Sequence, residues 1–253
     1  MLAIFCARVA FGLVACLLLL SPGQLHPRFF RTHFVTALGL LIVATVASWS
    51  DVAIWPRVLL AASSIVALLG TISWTLEPAP AGRLAIVATA AFTAAALLLL
   101  EPPSDPEWPG ELPPIGWLAA GVSSAMLLGT ALTAMLVGHS YLISPGMALT
   151  PLMRCLLVVG ITLVVRVAMI GWGLWRWTEL TPTYNLNNEV VLWLLVRWLV
   201  GIIAPLLFGW MAFSAARIRS TQSATGILYV VVVCGFLGEL LGLLLSRQTG
   251  LPL

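Results

Sequence analysis

The chain has 253 residues, 61% of them hydrophobic and only 8% charged, with 12 basic side chains against 9 acidic ones. A mean hydropathy of +1.08, with no polar segment longer than about a dozen residues, excludes a soluble domain. The basic residues, all arginine, are spread over separate segments, which excludes a nucleic-acid-binding face.

Eight apolar runs organise the chain, at about 2–20, 34–50, 58–76, 84–100, 115–137, 152–176, 190–213 and 226–245. Each is long enough to cross a hydrocarbon core of roughly 30 Å at 1.5 Å per residue. No water is present there to satisfy backbone amides, so each run is predicted as a helix. The expected fold is all-α: a polytopic transmembrane bundle of about eight helices in two four-helix halves.

Span 1 contains Arg8 and is not followed by a small-residue cleavage site after Leu20, so it reads as a retained helix. The hairpin after it carries Ser21-Pro22-Gly23, His26, Arg28 and Arg31, and His33 opens span 2. Arg57 precedes span 3, and Glu77 and Arg83 separate spans 3 and 4. Glu101–Pro114 is rich in proline and has four acids, which neither form a helix nor enter lipid. It is expected to be an extracytoplasmic linker, 101–114, between one half at 1–100 and another at 115–253.

Span 5 has small residues at Gly121, Ala125, Gly129 and Thr133, and span 8 has Gly238 and Gly242; such stripes let helices approach closely in lipid. Span 5 ends at His139 and Tyr141. The turn Ser144-Pro145-Gly146 then precedes Arg154 at the spacing that separates Ser21-Pro22-Gly23 from Arg31. That echo suggests duplication, although Ser-Pro-Gly is also ordinary turn chemistry. Span 6 contains Arg166 and span 7 contains Arg197 and Pro205. Arg217 and Arg219 lead into span 8, where Ser223 or Thr225 is a candidate cap, and span 8 holds Glu239.

Loop charge alternates. One set of loops holds Arg28, Arg31, Arg83, Arg154, Arg217 and Arg219 against Glu77; the other holds Asp51, Glu101, Asp105, Glu107, Glu111, Glu179 and Glu189 against Arg57, Arg176 and Arg247. The positive-inside rule puts the first set in the cytoplasm and both termini outside a bacterial inner membrane. Trp49, Trp55, Trp117, Trp172, Trp175, Trp177 and Trp193 lie at the outer ends of their spans, as an interfacial belt does. The run Trp172–Glu179 resembles the Trp-rich signature of haem-handling cytochrome c assembly proteins. It is one residue short, however, and has Thr178 where that signature has Asp, so a belt accounts for it.

Two candidate sites follow. Arg8, Arg166, Arg197 and Glu239 lie inside spans at similar depth in the acidic-side half. Charges there are costly and normally have partners, so Glu239 is expected to pair with Arg197 or Arg166. The surplus cations suit either structural pairing or an anionic group. On the basic side, His33, His139, Tyr141, Arg154, Arg217 and Arg219 form the kind of set that hydrogen-bonds a headgroup or quinone beside an apolar channel; a solvated loop set is the plainer reading. No cofactor is predicted. Quinone or lipid suits the chemistry better than haem, because bis-histidine ligation needs paired histidines on facing helices. Cys6, Cys16, Cys155 and Cys234 read as buried apolar residues, and no metal set is present in the sequence.

The sequence contains no nucleophile–base set, Walker motif or zinc motif. The first functional reading is therefore a non-catalytic integral subunit of a larger, respiratory-type membrane complex, surrounded by lipid and by other membrane subunits or copies of itself. In form it is similar to the eight-span quinol-oxidising membrane anchors of the DMSO-reductase type, with no shared motif. The alternative is a secondary transporter or channel for a small anionic solute. A lipid-acting enzyme using His139, Tyr141 and Arg154 ranks third.

Overall fold

A computed structural model describes residues 1–49, 53–76, 79–100, 114–144, 146–180 and 188–249. Among these the chain is helical throughout: α1 (Leu2–Cys16, continued by a 3-10 turn, Leu17–Leu19), α2 (Pro27–Ala47), α3 (Ile54–Thr75), α4 (Ala79–Leu100), α5 (Pro114–Ile143), α6 (Thr150–Leu180), α7 (Asn188–Trp198), a π turn (Leu199–Ile203), α8 (Ala204–Arg217) and α9 (Thr221–Thr249). The π turn joins α7 and α8 into one span, so eight helices are long and apolar enough to cross a membrane. Residues 101–113 of the expected linker lie outside the described residues, as do Asp51, Glu77 and Pro145.

Several helices begin or end beyond the apolar runs. Pro27 starts α2 where its missing N–H costs nothing, and the His26 ring accepts from the Arg28 amide at 3.2 Å. His33 is consequently not at the opening of span 2 but well inside α2 and fully buried. The last helix starts at Thr221, so Ser223 and Thr225 are not its caps; the Thr225 hydroxyl donates to the Thr221 carbonyl instead. Arg219, at φ 61°, ends α8 in the left-handed conformation that commonly closes a helix.

Spans 1 to 4 pack in sequence, with α4 returning to α1. Spans 5 to 8 do the same, with α9 returning to α5. The two groups meet mainly where α1 lies on α5. These are the two most buried spans, whereas α3 and the α7–α8 span are the least.

Small residues set the close approaches. A Cβ at Gly12 would fall on the Ala125 backbone, and one at Gly129 on the Gly12 and Leu13 backbone. The predicted α5 stripe is thus the face that receives α1. Gly70 accommodates the Phe34 ring and Gly82 the Trp74 indole, tying α2 to α3 and α3 to α4. The Trp belt is only partly a belt: Trp49, Trp55 and Trp175 are exposed, whereas Trp117, Trp172 and Trp177 pack around Leu245.

Candidate functional site

Four charged side chains meet inside the bundle: Arg8 (6% exposed), Arg166 (3%), Arg197 (0%) and Glu239 (0%). Arg166 grips the carboxylate from the side, Nε to Oε1 at 2.9 Å and Nη2 to Oε2 at 2.7 Å. Its Nη1 reaches the Ala120 carbonyl at 3.5 Å. Arg197 Nη2 donates to Oε1 at 2.8 Å. The Ser124 hydroxyl donates to Oε2 at 2.5 Å and accepts from Arg8 Nη1 at 3.2 Å.

Glu239 therefore accepts four hydrogen bonds, as many as a carboxylate has good acceptor positions. Two of them form a bidentate arginine fork, the strongest geometry available to a carboxylate. One acid on α9 thus binds side chains from α5, α6 and α7, and through Ser124 it reaches Arg8 of α1. Sequence reasoning paired Glu239 with Arg166 or Arg197, and it pairs with both. It did not find Ser124, whose only signal was a hydroxyl beside the small-residue stripe of α5.

Two backbone features bring Arg197 to this point. A Cβ at either Gly201 or Gly238 would stand 2.8 Å from Arg197 Nη1 and close to the opposite glycine. The bare Gly201–Gly238 crossing is what lets the guanidinium lie between spans 7 and 8. The second feature is the π turn, in which the Ala204 amide donates to the Leu199 carbonyl five residues back. Pro205 follows with no N–H to continue the α pattern.

The buried face of α8 is marked by Pro205, Ala212 and Ala216. In an unbroken α-helix, at ~100° per residue, Arg197 would point ~80° away from that face. The extra residue of a π turn rotates α7 back by about one residue's angle, which turns Arg197 toward Glu239. Deleting Val200 leaves seven residues from Arg197 to Pro205, so an unbroken α-helix keeps Arg197 within ~20° of that face. Inserting an alanine after Val200 should instead swing it ~100° further round and away from Glu239. Thermal unfolding of the insertion variant in detergent is then expected to give the midpoint of Arg197→Ala. Adding that substitution to the insertion should lower it no further, while the deletion should stay above that midpoint.

Among the described residues, no hydrogen bond or ion pair links His33, His139, Tyr141, Arg154, Arg217 and Arg219 to one another. His33 is enclosed, with Nδ1 2.9 Å from the Phe29 carbonyl and Nε2 without a partner. His139, Arg154, Arg217 and Arg219 are exposed, and Arg217 lies over the Phe213 ring at 5.9 Å. The Tyr141 hydroxyl donates to the Ala148 carbonyl. No grouping of His, Cys, Asp and Glu that could hold a metal occurs among the described residues. No protein-family model, curated protein or solved structure matches this chain.

Proposed function

We propose that this protein is a non-catalytic, helix-contributing subunit of a larger assembly in a bacterial inner membrane, with both termini on the extracytoplasmic side. The observation that carries the reading is the Glu239 lock. A carrier of two-repeat design works by rocking one helix group against the other. Here Arg8 of the first group is bonded to Ser124 of the second, and Ser124 to Glu239. The same boundary is sealed by backbone contact at Gly12 and Gly129. Moving the groups apart would break buried polar contacts of a kind that costs several kcal/mol, which favours a rigid scaffold over a moving carrier.

The sorting of loop charge supports the orientation, and the repeated Ser-Pro-Gly turns support an origin of halves 1–100 and 115–253 by duplication. Partner subunits, or further copies of this chain, would cover the exposed apolar faces of α3 and α8. The engaged Tyr141 hydroxyl leaves the basic side better suited to a lipid headgroup than to a quinone.

Extraction in mild detergent followed by size-exclusion chromatography and subunit mass determination tests this. Other membrane subunits, or a homo-oligomer, should elute with the chain in fixed ratio. A lone chain that carries anion flux when reconstituted in vesicles would replace this reading with the transporter one.

A further inference from the structure

The basic-side end of α8 carries cations that no described acid answers. Arg217 closes the helix and Arg219 follows in its left-handed turn; both are exposed. Their Cα atoms stand at most about 7.6 Å apart, two peptide steps, so both long side chains can reach one group. Glu179, Glu189 and Glu239 are the only acids among the described residues, and none pairs with either arginine.

Below Arg217 one side of α8 is a continuous apolar stripe. Leu206, Trp210, Phe213 and Arg217 recur every three or four residues and so share that side; Trp210 is 67% exposed. Arg217 Cζ lies over the Phe213 ring at 5.9 Å, and Phe213 stacks on Trp210 at 6.1 Å. The cation–π contact keeps the guanidinium down on the helix instead of out in solution. From Arg217 to Leu206 the stripe runs ~16 Å at helical rise, about half of a hydrocarbon core of roughly 30 Å. It borders the seam with α6, where Gly209 faces Leu163, and one turn away Gly160 is exposed with nothing within 4 Å of a Cβ.

Surface cations above an aromatic stripe one leaflet deep select an amphipathic anion. A quinone brings no charge for the arginines, and an acidic soluble segment has no apolar part to lay on Trp210 within lipid. A phospholipid phosphate takes the planar N–H fork, and its chain covers the stripe. A zwitterionic headgroup adds an ammonium that the arginines repel; a net anionic one does not.

We infer that Arg217 and Arg219 seat the headgroup of an anionic phospholipid whose acyl chain lies along Phe213, Trp210 and Leu206. The inference rests on the headgroup reading of the basic side. It leaves Leu207 and Met211, about 100° round α8, for a partner subunit.

The test uses protein reconstituted in phosphatidylcholine vesicles with a small fraction of brominated phosphatidylglycerol or brominated phosphatidylcholine, whose bromine quenches nearby tryptophan. Trp210 is exposed in the basic-side half, whereas the exposed Trp49, Trp55, Trp175 and Trp193 lie toward the other end. Wild type should be quenched more by brominated phosphatidylglycerol than by brominated phosphatidylcholine, and added salt should shrink that excess. Trp210→Phe should remove the excess, and so should Arg217→Gln combined with Arg219→Gln. Arg28→Gln combined with Arg31→Gln, on the first basic hairpin, should keep it. All five side chains are exposed, so the variants are expected to fold, which helix content by circular dichroism checks. If a double variant does not, its two single substitutions take its place, each Arg217 or Arg219 change removing part of the excess.

No excess in wild type overturns the inference. So does an excess that survives loss of Trp210 or of both hairpin arginines, or one that the Arg28 and Arg31 changes remove equally. Thermal unfolding in mixed micelles separates this failure from that of the headgroup reading. Stabilisation by phosphatidylglycerol over phosphatidylcholine without excess quenching would put the headgroup elsewhere on the basic side. Absence of both effects would remove the headgroup reading as well.

Discussion

Glu239→Ala is expected to be the most damaging single substitution of a polar residue in this protein. It removes the acceptor for four buried hydrogen bonds and leaves Arg166 and Arg197 enclosed without a counter-charge. Breaking a buried ion pair by deleting one partner costs about 3–5 kcal/mol in proteins generally, and here two cations are orphaned together. The variant should unfold at a much lower temperature in detergent, or fail to accumulate in the membrane.

Glu239→Gln should be nearly as harmful, because its amide NH2 would face arginine N–H groups. The informative contrast is a triple replacement, Arg166→Met with Arg197→Met and Glu239→Met. Removing all three charges removes the unpaired-charge penalty, and well-packed apolar groups often equal a buried ion pair in stability. Ser124 retains Arg8 as a partner in that variant. The triple variant should therefore recover most of the stability that Glu239→Ala loses, as read from unfolding midpoints. If Glu239→Ala matches wild type, the ion pairs do not hold the spans together.

The same cluster marks how far the sequence can be read. Span number, helical class and the depth of the four charges follow from composition and rise per residue, because lipid leaves the backbone few options. The preference of Glu239 for an arginine partner follows from its being the only acid inside a span. What could not be read was angular. Whether Arg197 faces Glu239 depends on a π turn that shifts helical phase, and no local residue pattern announces that shift beyond Pro205. Ser124 was illegible for a related reason: a buried hydroxyl usually bonds to its own helix, as Thr130 does to the Met126 carbonyl, and only its neighbours decide otherwise. His33 was misplaced because the helix starts at Pro27, outside the apolar run, so hydropathy set the boundary of span 2 too late.

Gly12→Ala and Gly129→Ala should each destabilise the fold by at least about 1–3 kcal/mol, the range for overpacking a tight core, although each adds a single methyl group. The reason is what that methyl meets. At Gly70 and Gly82 the obstacle is an aromatic ring on a neighbouring helix, which has some freedom to turn. At Gly12 and Gly129 it is main chain on the opposing helix, Ala125 in one direction and Gly12 with Leu13 in the other. Backbone atoms have no alternative rotamer, so α1 and α5 must separate along the contact that joins the two helix groups.

Separation also lengthens the Arg8–Ser124 bond, which crosses the same interface. Combining Gly129→Ala with Arg8→Gln should therefore cost less than the sum of the single effects, as expected for residues that share one contact. Gly39, Gly160 and Gly235 provide the control. A Cβ there meets nothing within 4 Å, so alanine should be neutral or stabilising by up to about 1 kcal/mol through helix propensity. Unfolding midpoints for the five alanine variants separate the two cases. If Gly12→Ala behaved like Gly39→Ala, α1 would not lie against α5 at backbone contact, and the rigid junction between the helix groups would lose its basis.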